Sequence, residues 1–271
     1  MTNMFLVLLN ATAIFFYLIS SLILLKDIQT NQFKQRALIM AWVAVISHAG
    51  IIIFDAIQQY ALDFTLFHIG SFISLVISLF ILLASFSKPV EKLGILLFPM
   101  TVLMLVLDMN FADDVKTITH YSSAMNTHII SSIIAFSLLT IAAVQALLLS
   151  LQNKQLKTHN PARFMRALPP LQAMEALLFQ MITTGLLFLS LSLVSGFIFI
   201  EDLFSQHLAH KTLLSIFAWF IFSSLLIGRK YYGWRGKTAI NGTLYGFICL
   251  LLSYFGSKLV LELILEKAVN T

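Results

Sequence analysis

The sequence predicts an all-α fold: a polytopic membrane helical bundle of eight transmembrane helices with both termini outside. Three observations predict it. Of 271 residues, 59% are hydrophobic and only 11% charged, against roughly 45–50% and about 25% in a soluble domain. The apolar residues gather into eight ungapped runs, most near the ~20 residues that cross a bilayer. The basic residues collect in alternate loops, as the positive-inside rule requires.

The runs are 4–25, 37–57, 64–86, 93–107, 127–151, 174–200, 211–228 and 239–264. They are too long for strands and lack the alternation of a membrane barrel. The first is followed by Lys26–Asp27 rather than a small-residue cleavage site, so it reads as a retained span. The fourth is short and contains Pro99. The loop charges nevertheless require it to cross. Lys26, Lys34 and Arg36 follow the first run, Lys88 and Lys92 the third. Lys154, Lys157, Arg163 and Arg166 follow the fifth, and Arg229, Lys230, Arg235 and Lys237 the seventh. These loops hold 13 of the 17 Lys and Arg residues. With seven spans the later basic loops would fall on the wrong side. Pro161 and Pro169–Pro170 break the loop before the sixth span, which Met174–Glu175 open. The whole chain, 1–271, reads as a single integral-membrane domain.

This composition excludes a soluble globule, a disordered chain and a coiled coil. The net charge of +5 records where basic residues remain on one side and implies no nucleic-acid partner. The lone Cys249 excludes a disulfide framework or a CxxC redox pair. There is no phosphate-binding loop, HExxH or GxSxG. Without a nucleophile–base pair, the chain does not read as an enzyme.

Histidine dominates the polar residues. His48 lies mid-way along the second run, ~16 Å from its inner end by helix rise, and a group so deep needs a partner. His68 lies one turn inside the outer end of the third run, and His128 opens the fifth at the same face. His120, His207 and His210 fall in outer loops, and His159 alone is on the inner side. Imidazole carries protons and is the commonest metal ligand. His68, Ser71, Ser74 and Ser78 form one helical stripe that suits close packing. Asp55 shares the face of His48 but is too far along the helix to bond it. Asp108, Asp113 and Asp114 read as a solvated outer loop. Gly242 and Gly246 form a small-xxx-small pair whose usual meaning is helix contact.

From His210 the chain reads HKTLLSIFAWFIFSSLLIGRKYYGWRGKTAINGTLYGFICLLLSYFGSKLV, preceded by LPPLQAMEALLF at 168–179, HIISSIIAFSLL at 128–139 and SHAG at 47–50. With GWRG at 233–236 and YFGSK at 254–258, the chain resembles the cytochrome c assembly protein family, the CcsA/CcmC/HemX group. The likeness covers nearly the whole length and is nearest to the short bacterial inner-membrane members.

The resemblance implies a multi-pass bacterial inner-membrane protein that binds haem b at its periplasmic face and serves cytochrome c assembly or haem handling. His128 matches the family's outer-face histidine at the start of a span. The cofactor-binding candidates are His128, His48, His68 and His210, with His128 and His48 the candidate iron ligands. His48 would hold a deeper haem, roughly 8 Å below His68 by helix rise, or guide one inward. His210, beside Lys211, would alternatively hold propionates. The expected partners are the lipid bilayer, haem and other cytochrome c maturation or haem-synthesis proteins. The tryptophan-rich WGxxWxWD segment of ligase-type relatives is missing: the tryptophans are Trp42, Trp219 and Trp234. AHKT at 209–212 stands where those relatives read DPKE, and no histidine follows the last span. Two other functions stay open at this point. One is a regulatory or scaffold subunit that keeps the fold without haem chemistry. The other is a cofactor-free transporter.

Overall fold

The computed structural model describes residues 2–27, 32–59, 66–111, 123–157, 168–199 and 206–256. Most of them lie in eight α-helices: α1 (Thr2–Lys26), α2 (Lys34–Gln59), α3 (Leu66–Ala84), α4 (Gly94–Phe111), α5 (Ser123–Lys157), α6 (Leu171–Phe199), α7 (Gln206–Tyr232) and α8 (Lys237–Leu251). All eight, α8 together with its continuation to Gly256, are long and apolar enough to cross a membrane. No strand occurs among the described residues. The chain divides into two compact units, α1–α4 and α5–α8.

In the first unit, Asp27 sets the α1–α2 turn. Its carboxylate accepts from the backbone N–H of Gln32 (2.9 Å) and Phe33 (2.8 Å), where the unsatisfied amides and positive end of α2 favour an anion. A 3-10 turn, Glu91–Leu93, leads into α4, and buried Glu91 pairs with Lys34 at 3.2 Å. Pro99 sits inside α4 without ending it. Proline cannot donate to the carbonyl four residues back. That carbonyl, on Ile95, instead accepts the Ser21 hydroxyl from α1 at 3.0 Å. The fourth run thus forms a helix long and apolar enough to cross.

In the second unit, α5 is the most buried span. Leu139, Ala142, Ala143 and Ala146 recur at helical spacing on its buried side. Gly185 brings α6 close: a Cβ there would lie 2.8 Å from Leu139. Gly242 and Gly246 do the same for α8, facing Leu225 and Phe222 of α7 at 2.7 and 2.8 Å. The small-xxx-small pair is therefore a helix contact, as expected. Between α7 and α8, Gly233 and Gly236 adopt positive φ (66° and 56°), a region that glycine enters without strain. Trp234 lies on Gly228, donating its backbone N–H to the Gly228 carbonyl at 3.2 Å. Beyond Leu251 the last span widens to a π-helical turn, Leu252–Gly256.

Two helix starts differ from the sequence reading. α6 begins at Leu171, directly after Pro170, whose carbonyl accepts from Met174 N–H at 3.1 Å. α7 begins at Gln206, so His207 and His210 are helical rather than in a loop. Nothing between Gln206 and Lys211 breaks a helix, and Leu208 and Ala209 favour one.

Candidate functional site

Each unit carries a polar histidine cluster away from its Lys- and Arg-rich turns. In the first unit the cluster is built by α1–α4. The His48 ring has no exposed surface. Its Nε2 lies 3.1 Å from the Ser71 hydroxyl of α3, and its Nδ1 3.5 Å from the Tyr17 hydroxyl of α1. Tyr17 meets the imidazole edge-to-face, with centroids 6.1 Å apart, and its hydroxyl also approaches Ser78. Ser78 bonds Thr101 of α4 at 3.1 Å, and Ser74 donates to the Ser71 carbonyl at 2.8 Å. A buried polar group without partners carries an uncompensated desolvation cost. The serine stripe supplies them, so it does more than allow close approach.

His68 lies one turn from Ser71. Its Nδ1 is 3.4 Å from an Asp108 carboxylate oxygen, with both side chains almost buried. This corrects two expectations. Asp108 belongs to α4 and pairs with a histidine, rather than lying in a solvated loop; Asp113 and Asp114 lie outside the described residues. His48 is level with Ser71, three residues from His68, so helix rise separates the two depths by ~4.5 Å, not 8 Å. The sequence estimate took each run's apolar limit as its membrane boundary, and the register between α2 and α3 does not follow those limits.

In the second unit, His128 lies in the second turn of α5. Its Nδ1 is 2.8 Å from the Ser192 backbone carbonyl of α6, with the Ser195 hydroxyl at 3.5 Å. A carbonyl only accepts, so Nδ1 carries hydrogen. The Nε2 lone pair then has no hydrogen-bond donor among the described residues, and the ring is half-buried. A metal-binding histidine is commonly oriented this way, one nitrogen tied to a carbonyl and the other open. One turn on, Ser132 bonds Ser192 hydroxyl-to-hydroxyl at 2.7 Å and donates to the His128 carbonyl. The π-helical turn brings Tyr254 towards Ser132. It packs Tyr254 against Phe136 in a tilted pair and Phe255 edge-on to it, with ring centroids 4.7 and 5.8 Å apart. Ser253 anchors the turn, donating to the Lys211 carbonyl at 2.8 Å. Single-turn π-helical insertions recur at functional sites.

His48 and His68 thus share one cluster, while His128 belongs to the other unit. His210 is helical, and His120 and His159 lie outside the described residues. No group of three or more His, Cys, Asp or Glu poised for a bare metal ion occurs among the described residues. An iron porphyrin needs less: one or two imidazoles and an apolar wall. His128 offers the imidazole, and Phe136, Tyr254 and Phe255 form an aromatic cluster up to two turns further along α5. The sequence reading missed Tyr17, Asp108, Ser192 and Tyr254. The spacing of Ser192 and Ser195 was the available sign that α6 turns a polar edge towards a neighbour.

An all-helical, multi-pass membrane chain with these clusters falls into a known class: it belongs to the cytochrome c assembly protein family, whose model matches residues 33–265. Among its relatives is the inner membrane protein YpjD of Escherichia coli strain K12. That protein is 32% identical over 243 residues, covering 85% of this chain and 88% of the relative. An uncharacterized 28.8 kDa protein of the nifR3-like 5' region of Azospirillum brasilense is 32% identical over 143 residues, 52% of this chain and 53% of that one. No solved structure matches. The chain is accordingly a multi-pass inner-membrane protein.

Proposed function

We propose that this protein binds haem b at the His128 cluster and handles it, without catalysis, in cytochrome c assembly. The observation that carries the proposal is the 2.8 Å contact between His128 Nδ1 and the Ser192 carbonyl, which directs the Nε2 lone pair away from its anchor. Haem bound there would supply a redox-active iron porphyrin. Phe136, Tyr254 and Phe255 would flank it, and Ser192 would fix the ring of its ligand. His68, backed by Asp108 in the way second-shell carboxylates back metal-bound imidazole, is the candidate ligand of the first unit. His48 has both nitrogens on hydroxyls and acts as a packing hub there. We place the histidine ends of both units at the periplasmic face, with both termini, because the basic residues gather at the opposite ends.

The test is an optical titration of the detergent-purified protein with haem. Wild type is expected to give a Soret band that His128→Ala reduces at least tenfold while helical content stays unchanged. A wild-type protein that stays colourless under reconstitution, or an unchanged band in His128→Ala, contradicts the proposal.

A further inference from the structure

The GWRG turn, at the basic end of the second unit, takes no part in the haem reading. Beside it a cleft of about 240 Å³ opens where the end of α5, the start of α6 and the start of α8 meet. Its floor is apolar: Leu149, Leu171, Leu178 and Ile240. Asn153, Gln172 and Arg235 form its rim. These are span ends, so the cleft lies at head-group depth.

Its charge is unbalanced. Glu175 is the acidic group in the cleft, and both its oxygens are engaged, one by the Gly236 N–H and one by Arg235 Nε at 3.1 Å. Arg235 is 60% exposed, and its two Nη nitrogens have no partner among the described residues. One turn along α6, the Arg229 guanidinium lies 3.9 Å from the Phe179 ring centroid. Its Nη1 is buried without a hydrogen bond among the described residues. Phe179 follows Glu175 by four residues, so the two guanidinium groups meet α6 at points ~6 Å apart. Planar guanidinium donors match phosphate oxygens, and the exposed Arg235 Nη nitrogens are free to meet one. Lys230 and Lys237 add exposed positive charge. Tyr231 and Tyr232 are 71% and 76% exposed, as interfacial aromatic side chains are.

We propose that this corner binds an anionic phospholipid. Arg235 holds the phosphodiester, Arg229 adds positive charge one turn away, and part of an acyl chain lies on the Leu149–Ile240 floor. Phosphate recognition accounts for the cations, and the apolar floor selects a lipid over a free phosphate ester. The site is independent of haem binding, and a haem spectrum reports on the other end of the unit.

The experiment uses the full chain in detergent, with native mass spectrometry and thermal melts. Dioleoylphosphatidylglycerol is expected to remain bound as one copy and to raise the melting temperature by several degrees. Dioleoylphosphatidylcholine and glycerol phosphate are expected to do neither. Arg229→Gln combined with Arg235→Gln is expected to lower phosphatidylglycerol retention at least tenfold, with helical content and haem spectrum unchanged. If that variant does not fold, hydrogen exchange in the wild type decides. Phosphatidylglycerol, and not phosphatidylcholine, is then expected to protect residues 229–240. Equal effects of both lipids, full retention by the folded variant, or an equal effect of glycerol phosphate each overturn the proposal.

Discussion

The two units hold their central histidines differently. In the first, Tyr17 and Ser71 stand one at each nitrogen of His48, and no ring surface is exposed. In the second, the Ser192 carbonyl and the Ser195 hydroxyl lie at one nitrogen of His128, and the other has no hydrogen-bond donor among the described residues. Depth in the membrane marks an imidazole as needing partners, but it does not say whether those partners are protein or cofactor. The partner count at the two nitrogens is the basis of the proposed distinction. Hydroxyls on both sides suit His48 to a structural hub, and a carbonyl anchor at one nitrogen leaves His128 as the candidate ligand.

The sharpest way to break this contrast is to truncate each histidine. His128→Ala is expected to abolish haem binding in the second unit with a small loss of stability. His48→Ala is expected to leave haem bound at His128 but destabilise the first unit by about 1–3 kcal/mol, from unpaired Tyr17 and Ser71 hydroxyls and a cavity. A melt and a haem titration on each variant separate the two effects. The contrast fails if both variants lose the Soret band equally. Gly246→Leu, facing Phe222 at close range, is expected to cost about 1–3 kcal/mol through overpacking. Because it shifts α8 and the π-helical turn, haem affinity is expected to fall with stability; unchanged affinity would detach the turn from the site. Asp108→Asn is the milder probe. It is expected to leave the His128 site untouched, as read by the haem titration of the single variant, and to weaken any residual haem held by His68 several-fold, as read in the His128→Ala background. The smallest effect is expected from Glu175→Gln. It weakens a contact whose Arg235 side is largely exposed, worth about 0–1 kcal/mol.

The eight spans were legible because bilayer thickness and loop charge impose long-range order on composition. Even the Pro99 helix followed from charge alternation, though its repair by Ser21 did not, since that bond joins residues 74 apart in sequence. The candidate histidines were legible as residues out of place in an apolar run. Their roles were not. Whether His48 meets Ser71, or His68 meets Asp108, depends on the register between neighbouring helices, and smooth runs of Leu and Ile leave that register unmarked. The solvated reading of Asp108 failed for the same reason: α4 continues past the last strongly apolar residues, and the carboxylate comes to rest on α3. The GWRG glycines were conspicuous in sequence, but their positive φ and the Trp234–Gly228 contact needed coordinates.

The central claim is that His128 Nε2 is the open coordination position. Chemical rescue tests it most directly. His128→Gly is expected to lose the Soret band and to regain it when free imidazole is added, because imidazole fills the vacated ring position and meets the Ser192 carbonyl. A His128→Gly protein that binds haem as tightly as wild type without imidazole would contradict the account.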